Sequence, residues 1–306
     1  MRSSHYSPID LGSFGRIAAW AIRVPYIGGT SNAYVLKSDS VVIVVDPGHP
    51  IGLGRFESQL AALALRPRDI DAFVYTHAHV DHFGNGALLD SPRAVHFAGH
   101  ATARLLYEYG QWRGEKIAGV AFLADMFPAQ AGEFTSLSMR RFLEGFFPVL
   151  PDMPQLHGTD RLQMGDIALD LLAAPGHSPD HVVVNAAKEQ VLMSGDYVFR
   201  DGHISIGYHA GGSIEHYRDS LHTLSDLQPC IVLPGHGPAL SDWSRLLHQA
   251  EGRIDAELRS ALRVAKVSDP LGSFFGHRLR EVGVYAAANR LAAYWAHLEV
   301  EGDREE

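Results

Sequence analysis

Cysteine is almost absent from this chain of 306 residues, and long apolar runs are absent altogether. Cys230 is the only cysteine, which excludes an internal disulfide and is compatible with a reducing compartment. It lies in an apolar run before Gly235, so we expect it in the core. No stretch reaches the roughly 18–20 apolar residues that a membrane span needs, and the N-terminus lacks the apolar segment of a secretion signal. We therefore expect a soluble, cytoplasmic protein.

Basic residues are scarce relative to acidic ones. The chain has 26 Lys and Arg against 35 Asp and Glu, which gives a net charge of −9 with neutral histidines. Proteins that bind phosphate backbones usually present a basic face, so the acidic balance argues against a nucleic-acid partner without excluding a local basic groove. The length suffices for one large domain with an appendage or for two domains.

Histidine, by contrast, is abundant and clustered. His77, His79 and His82 occur with Asp81 within six positions. The apolar run at 72–75 is short and β-prone, so we predict a buried strand whose following loop carries these side chains. Loops at strand ends are a usual place for active sites in α/β proteins. Imidazoles and carboxylates suit Zn²⁺ and similar divalent ions, so we interpret the segment as a metal site; a chance group of solvated histidines is the alternative.

Three further segments repeat one pattern, in which an apolar run ends at a glycine beside a potential ligand. They contain Gly176-His177, Gly195-Asp196 and Gly235-His236-Gly237. Glycine permits the turns that end a strand and direct the neighbouring side chain at an ion. The four segments together therefore favour a metal site more strongly than any one of them.

In their order along the chain, these motifs resemble the metallo-β-lactamase superfamily in its dinuclear hydrolase branch, over roughly residues 17–240. The resemblance implies two divalent ions, with Zn²⁺ as the default and Fe or Mn compatible with the same ligands. It also implies three histidine ligands for one ion, one Asp and two His for the other, and one bridging carboxylate. In this sequence those ligands are His77, His79 and His177, then Asp81, His82 and His236, and finally Asp196.

The resemblance also implies a mechanism, in which a hydroxide held between the two ions hydrolyses the substrate without a covalent enzyme intermediate. Such a hydroxide is nucleophilic near neutral pH because the metals lower the pKa of water. Asp81 is the candidate catalytic residue, since it could orient the hydroxide and pass its proton to the leaving group. We expect Asp46 to orient a ligand histidine, with a turn before Pro47 as the alternative, and His181 to support the site structurally.

We expect an α/β fold, and the resemblance implies a four-layer αββα sandwich. Residues 1–240 would form the catalytic domain, interrupted by a helical insertion at about 100–160. The insertion is rich in large apolar side chains, so it could form a lid over the site, or pack as core or a dimer surface. Residues 241–306 look like the helical, winged-helix-like extension of glyoxalase II-like relatives; we expect them to pack beside the cleft or to form a homodimer.

The substrate is less determined than the site. A thioester or other activated acyl compound is the first hypothesis, because glyoxalase II-like relatives hydrolyse thioesters and the insertion could hold an acyl chain. The second is a lactone, another carboxylic ester or an amide; N-acyl-homoserine lactonases usually carry Tyr where this chain has Phe199, which weakens it. The third is a phosphodiester, including RNA, which the acidic balance disfavours. A non-catalytic binding protein is the last, since none of the seven ligand positions is missing.

Overall fold

The computed structural model describes residues 7–120, 122–153, 155–276 and 284–305, and its core is two β-sheets. In the first sheet, seven strands lie in chain order: β1 (Ile9–Phe14), β2 (Ile17–Tyr26), β3 (Gly29–Lys37), β4 (Val42–Val45), β5 (Ala72–Tyr75), β6 (Val95–Ala98) and β7 (Leu156–Gly158). Strands β1 to β4 pair antiparallel, whereas β4 to β7 pair parallel. The parallel half directs the ends of β4 and β5 to one edge of the sheet.

The second sheet contains β8 (Arg161–Met164), β9 (Ile167–Ala173), β10 (Val182–Ala186), β11 (Val191–Gly195) and β12 (Ile231–Pro234), in the spatial order β12-β11-β10-β9-β8. Its pairs are antiparallel except β11 with β12, which is parallel. Apolar side chains from both sheets, such as Ile43 and Val74 from the first and Leu169 and Met193 from the second, form one buried cluster. The sheets therefore pack face to face.

Helices cover the outer faces of the two sheets. Helix α1 (Leu53–Ala62) packs Phe56 and Leu60 into a second cluster that includes Phe73 of the first sheet. The short helix α2 (Val80–Phe83) follows β5, and α8 (Ile214–Thr223) and α9 (Trp243–Val264) add buried residues such as Leu221 and Leu247 on the other side. The predicted four-layer α/β sandwich is confirmed.

The segment at 100–160 is largely helical. It contains α3 (His100–Tyr107), α4 (Tyr109–Gly119), α5 (Phe122–Met126), α6 (Ala131–Phe134) and α7 (Leu137–Phe146). Its last part is strand β7, which pairs with β6, so the inserted helices lie between two neighbouring strands of one sheet.

The chain beyond residue 240 is helical in the ranges that the structure describes, with no strand there to form a wing. It consists of α9, α10 (Pro270–Phe275) and α11 (Val284–Glu305). Helix α11 contributes Leu291 and Tyr294 to the same buried cluster as Phe56 and Phe73. Its Trp295 stacks on Phe127 beside α5 with ring centroids 5.2 Å apart. No helix in the described ranges is long and apolar enough to cross a membrane.

Two details differ from expectation. Cys230 is exposed, which contradicts its predicted place in the core, because β12 begins only at Ile231 and the thiol instead donates to Gln190 Oε1 at 3.1 Å. Strand β1 was not predicted. It is an edge strand in which no side chain is buried, and a bulge between Asp10 and Gly12 interrupts the alternation of apolar residues that marks a strand.

Candidate metal centre

The predicted ligands lie where strand ends of the two sheets meet. His77 and His79 follow β5, and Asp81 and His82 belong to α2. Across the interface, the second sheet supplies the remaining three ligands from the turns after β9, β11 and β12, namely His177, Asp196 and His236. All seven side chains predicted from the motifs therefore come together.

The candidate ligand atoms form overlapping groups, each compact enough to surround one ion. Within 4.8 Å of one another lie the atoms of three such groups: His77, His79 and His177; Asp81, His82 and His236; and His77, His82 and Asp196. The Asp196 carboxylate faces both sides, with Oδ2 3.7 Å from His177 Nε2 and 3.3 Å from His236 Nε2. Its Oδ1 is 3.3 Å from His82 Nε2. One carboxylate thus lies between the two sets of histidines.

Several of these atoms are buried without a hydrogen-bond partner in the described structure. They are His77 Nε2, His82 Nε2 and Asp196 Oδ1. Buried polar atoms are normally satisfied, and leaving one unpaired costs about 1–3 kcal/mol. Three such atoms that converge on one another are what a cation would satisfy, so the donor set fits divalent metal ions.

A close backbone approach brings the second sheet to the centre. A Cβ atom at Gly235 would lie 2.3 Å from Asp196 Oδ1 and 2.6 Å from His82 Cε1, so only glycine fits between the ligands. The Gly235 N–H donates to the Gly195 carbonyl at 2.7 Å, which ties the turns after β11 and β12 together.

Four of the proposed ligand histidines bond to the protein through Nδ1, which directs Nε2 into the centre. His77 Nδ1 lies 3.0 Å from Thr76 Oγ1. His82 Nδ1 lies 2.9 Å from Asp46 Oδ2, as predicted for Asp46. His177 Nδ1 lies 2.8 Å from the Ser205 carbonyl, and His236 Nδ1 lies 2.9 Å from the Thr30 carbonyl. Such acceptors fix the tautomer and ring orientation that metal binding requires.

The loop between β5 and α2, residues 76–79, is here called the metal loop, and it is held by a residue that the sequence analysis missed. Asp180 is buried, and its Oδ2 accepts from the Ala78 N–H at 2.8 Å, between two ligand histidines. Its neighbour His181 accepts from the Asp196 N–H through Nε2 at 3.1 Å, in the supporting position expected of it. The sequence offered one signal for this role, namely an acidic residue between His177 and His181.

Burial and charge divide the histidines into two kinds. Burial, followed by mutual repulsion between imidazoles, lowers the pKa of His77 and His79 well below the usual value, and burial also lowers the pKa of His177. Burial opposes the charged form of His236 as well, but the nearby carboxylates of Asp196 and Asp81 together outweigh burial and raise the pKa to about 9. The first three histidines are therefore neutral at pH 7, the state in which imidazole binds a metal.

Two of the proposed ligands are partly exposed, and aromatic rings flank both. The His236 side chain is 23% exposed, and the rings of Tyr26 and Phe199 lie 5.4 Å and 5.9 Å from its ring. His79 is half-buried, and Trp112 from α4 lies 6.5 Å from its ring. The open side of the centre is thus lined by aromatic side chains.

Part of this aromatic lining comes from the inserted helices. Trp112 packs edge-on against Phe147 at 5.5 Å, and Phe146 of α7 packs edge-on against Tyr26 at 6.2 Å. His49 Nε2 lies 3.1 Å from the Phe146 carbonyl, which fixes the end of α7 to the first sheet. The insertion therefore reaches both sides of the opening.

Comparison with known proteins adds independent evidence. A family model described as "Metallo-beta-lactamase superfamily" matches residues 26–236. "Probable metallo-hydrolase YqgX" from Bacillus subtilis is 30% identical over 222 residues, which cover 71% of this chain and 89% of that protein. "Acyl-coenzyme A thioesterase MBLAC2" from Gallus gallus is 29% identical over 68% of this chain and 73% of that protein. In fold alone, the chain is similar to the crystal structure of a metallo-beta-lactamase family protein from Thermus thermophilus, with a TM-score of 0.73 over 93% of this chain and 94% of that one at 22% identity.

Proposed function

Because the chain belongs to the metallo-β-lactamase superfamily and is a metallo-hydrolase of that family, we propose that it hydrolyses acyl thioesters at a centre of two divalent ions. We propose Zn²⁺ as the metal, with Fe or Mn as alternatives for the same ligands. The proposed ligands of the first ion are His77, His79 and His177, those of the second are Asp81, His82 and His236, and Asp196 lies between the two. The two-sided contacts of Asp196 support this division.

The reaction breaks the C–S bond of the thioester and forms a C–O bond to water, which gives a carboxylic acid and a thiol. Bound divalent ions would supply Lewis acidity to the carbonyl and lower the pKa of the attacking water. Asp81 is buried, with Oδ2 3.4 Å from His236 Nε2. We assign two roles to Asp81: it orients the attacking water, and it transfers the proton that the water loses to the leaving thiolate.

The single observation that carries the substrate class is the aromatic lining of the open side. An acyl chain needs an apolar surface beside the reacting carbonyl, and the inserted Trp112 and Phe146 supply one next to the two partly exposed proposed ligands. Tyr26 adds a hydroxyl whose pKa is raised by burial and by the charges of Asp81 and Asp196, so it stays protonated. Position 199 carries a Phe ring without a hydroxyl, which gives no support to a lactonase. The similarity to a named acyl-coenzyme A thioesterase supports the same class.

The test is thiol release from a panel of thioesters, from acyl-glutathione to long-chain acyl-coenzyme A, with metal-reconstituted protein. We expect turnover that a chelator abolishes and that rises with acyl length. Opening of lactones or cleavage of phosphodiesters without thiol release would overturn the thioesterase assignment. The expected cytoplasmic location and homodimeric state stay predictions.

A further inference from the structure

A loop at residues 197–206, the linking loop, begins at one proposed metal ligand and contacts another through its backbone. It begins directly after Asp196, at the end of β11. Near its other end, the Ser205 carbonyl is the partner of His177 Nδ1 at 2.8 Å. The conformation of the linking loop therefore decides where this carbonyl lies, and with it the orientation of His177.

The backbone of the linking loop rests on helix α9. Gly202 is buried with φ of +65°, and a Cβ atom there would lie 2.4 Å from Gln249 Cβ. Only glycine therefore fits where the loop packs against the helix. The Phe199 N–H donates to the His203 carbonyl at 2.8 Å and closes the turn. His203 is thereby directed toward the C-terminal helix.

Arg290 of α11 is the residue that His203 meets. Its Nη1 lies 3.3 Å from His203 Nε2, and since a guanidinium only donates, the imidazole nitrogen accepts. Arg290 is itself fixed, because it donates to both carboxylate oxygens of Glu257 at 2.6 Å and 2.7 Å. Tyr294 donates to the same carboxylate at 2.7 Å. The Arg290 side chain is only 14% exposed, so this charge-assisted network is largely buried, and it joins α9 to α11.

We propose that the Arg290–His203 contact positions His177 for metal binding. Arg290, fixed by Glu257, anchors His203; His203 fixes the linking loop; and the Ser205 carbonyl, two residues further on, holds His177 Nδ1 so that Nε2 faces the centre. The C-terminal helices are on this account a supporting part of the metal site. The proposal rests on the metal centre of the proposed function and is independent of the substrate.

The decisive variant is His203→Ala. It removes the contact between Arg290 and the linking loop while Arg290, Glu257 and Tyr294 remain paired. His203→Gln offers an amide oxygen that can accept from Arg290 and should rescue. His248→Ala removes an exposed histidine from α9 and serves as the matched control. Arg290→Lys is a second route, since Lys keeps a charge for Glu257 but lacks the fork that reaches both partners.

Chelator-treated full-length protein is titrated with cobalt(II), and the visible absorption of the bound ion reports its affinity and coordination. In a separate experiment, the thermal unfolding of each variant is measured without metal. We expect His203→Ala and Arg290→Lys to weaken cobalt binding at one of the two sites about tenfold and to alter its spectrum, with His203→Gln and His248→Ala unchanged. A lower unfolding temperature with unchanged cobalt affinity and spectrum would reduce the contact to a structural role and overturn the proposal. Wild-type protein that binds no cobalt would overturn the metal centre itself.

Discussion

The Asp46 carboxylate and the His82 imidazole form a buried pair, with Oδ2 and Nδ1 2.9 Å apart. The same carboxylate accepts from the Thr76 N–H at 2.9 Å and from its hydroxyl at 2.7 Å, which places it between the metal loop and a proposed ligand. Asp46 has a φ of 51°, a conformation that few side chains other than Asp and Asn adopt readily. The backbone here favours Asp or Asn, and Asp46 also supplies the acceptor that faces His82 Nδ1.

We predict that Asp46→Asn lowers metal affinity about 10- to 100-fold, since Asn keeps one oxygen for the Thr76 N–H but places an amide donor where Oδ2 meets the Thr76 hydroxyl and His82 Nδ1. Competition with a chromogenic chelator measures the affinity. Asp166→Asn, which alters a carboxylate bonded to Ser38 and Ser40 away from the centre, is the control. Equal affinities in the two variants would count against the assigned role of Asp46.

A second prediction concerns the aromatic lining. Trp112→Ala removes the ring beside His79, and burial of such a ring is worth about 1.5–3 kcal/mol, so we expect kcat/KM for long-chain thioesters to fall about tenfold or more. Short acyl groups, which do not reach the ring, should be affected little. Leu137→Ala changes an exposed residue of the same insertion and controls for general effects. An equal loss for short and long substrates would show that Trp112 does not contact the acyl chain.

A third prediction follows from His96, whose Nδ1 lies 2.6 Å from the Tyr75 hydroxyl. Burial lowers the pKa of His96 from 6.5 to about 4. Below pH 6.5 the unfolded chain gains a proton that the folded protein refuses, so this group should reduce the free energy of unfolding by about 3 kcal/mol between pH 6.5 and 4. His96→Gln keeps an acceptor for Tyr75 without a titrating ring. Urea unfolding across this range should show a shallower decline for the variant; parallel declines would contradict the prediction.

A fourth prediction concerns the turn before His177. Gly176 has a φ of 144°, and a Cβ atom there would lie 2.6 Å from Tyr217 Cα, so Gly176→Ala strains the backbone and forces α8 away. We expect a loss of about 1–3 kcal/mol or more in the free energy of unfolding, measured by denaturant titration. Gly252→Ala, in an exposed and unobstructed position of α9, should instead stabilise by about 0.5–1 kcal/mol. A neutral Gly176→Ala would contradict the crowded turn.

The sequence was most informative where chemistry is local. Each ligand stands in a short motif at a strand end, so His77 or Asp196 could be proposed without knowing what lies opposite. The carbonyls of Thr30 and Ser205 could not, because any residue supplies a carbonyl and only the fold brings one to a ligand. Trp112 was one of many aromatic residues in the insertion, and nothing in the spacing distinguishes the ring that faces the site. Cys230 was misplaced because an apolar run does not show at which residue its strand begins.

Metal titration of the activity tests the account most directly. Chelator-treated protein is supplied with Zn²⁺ in steps, and hydrolysis of a long-chain acyl thioester is followed alongside bound metal per chain. We predict no activity without metal, a rise that levels off at two ions per chain, and loss of both binding and activity in Asp196→Ala. Full activity in the metal-free protein, a plateau at one ion, or an unimpaired Asp196→Ala variant would contradict it.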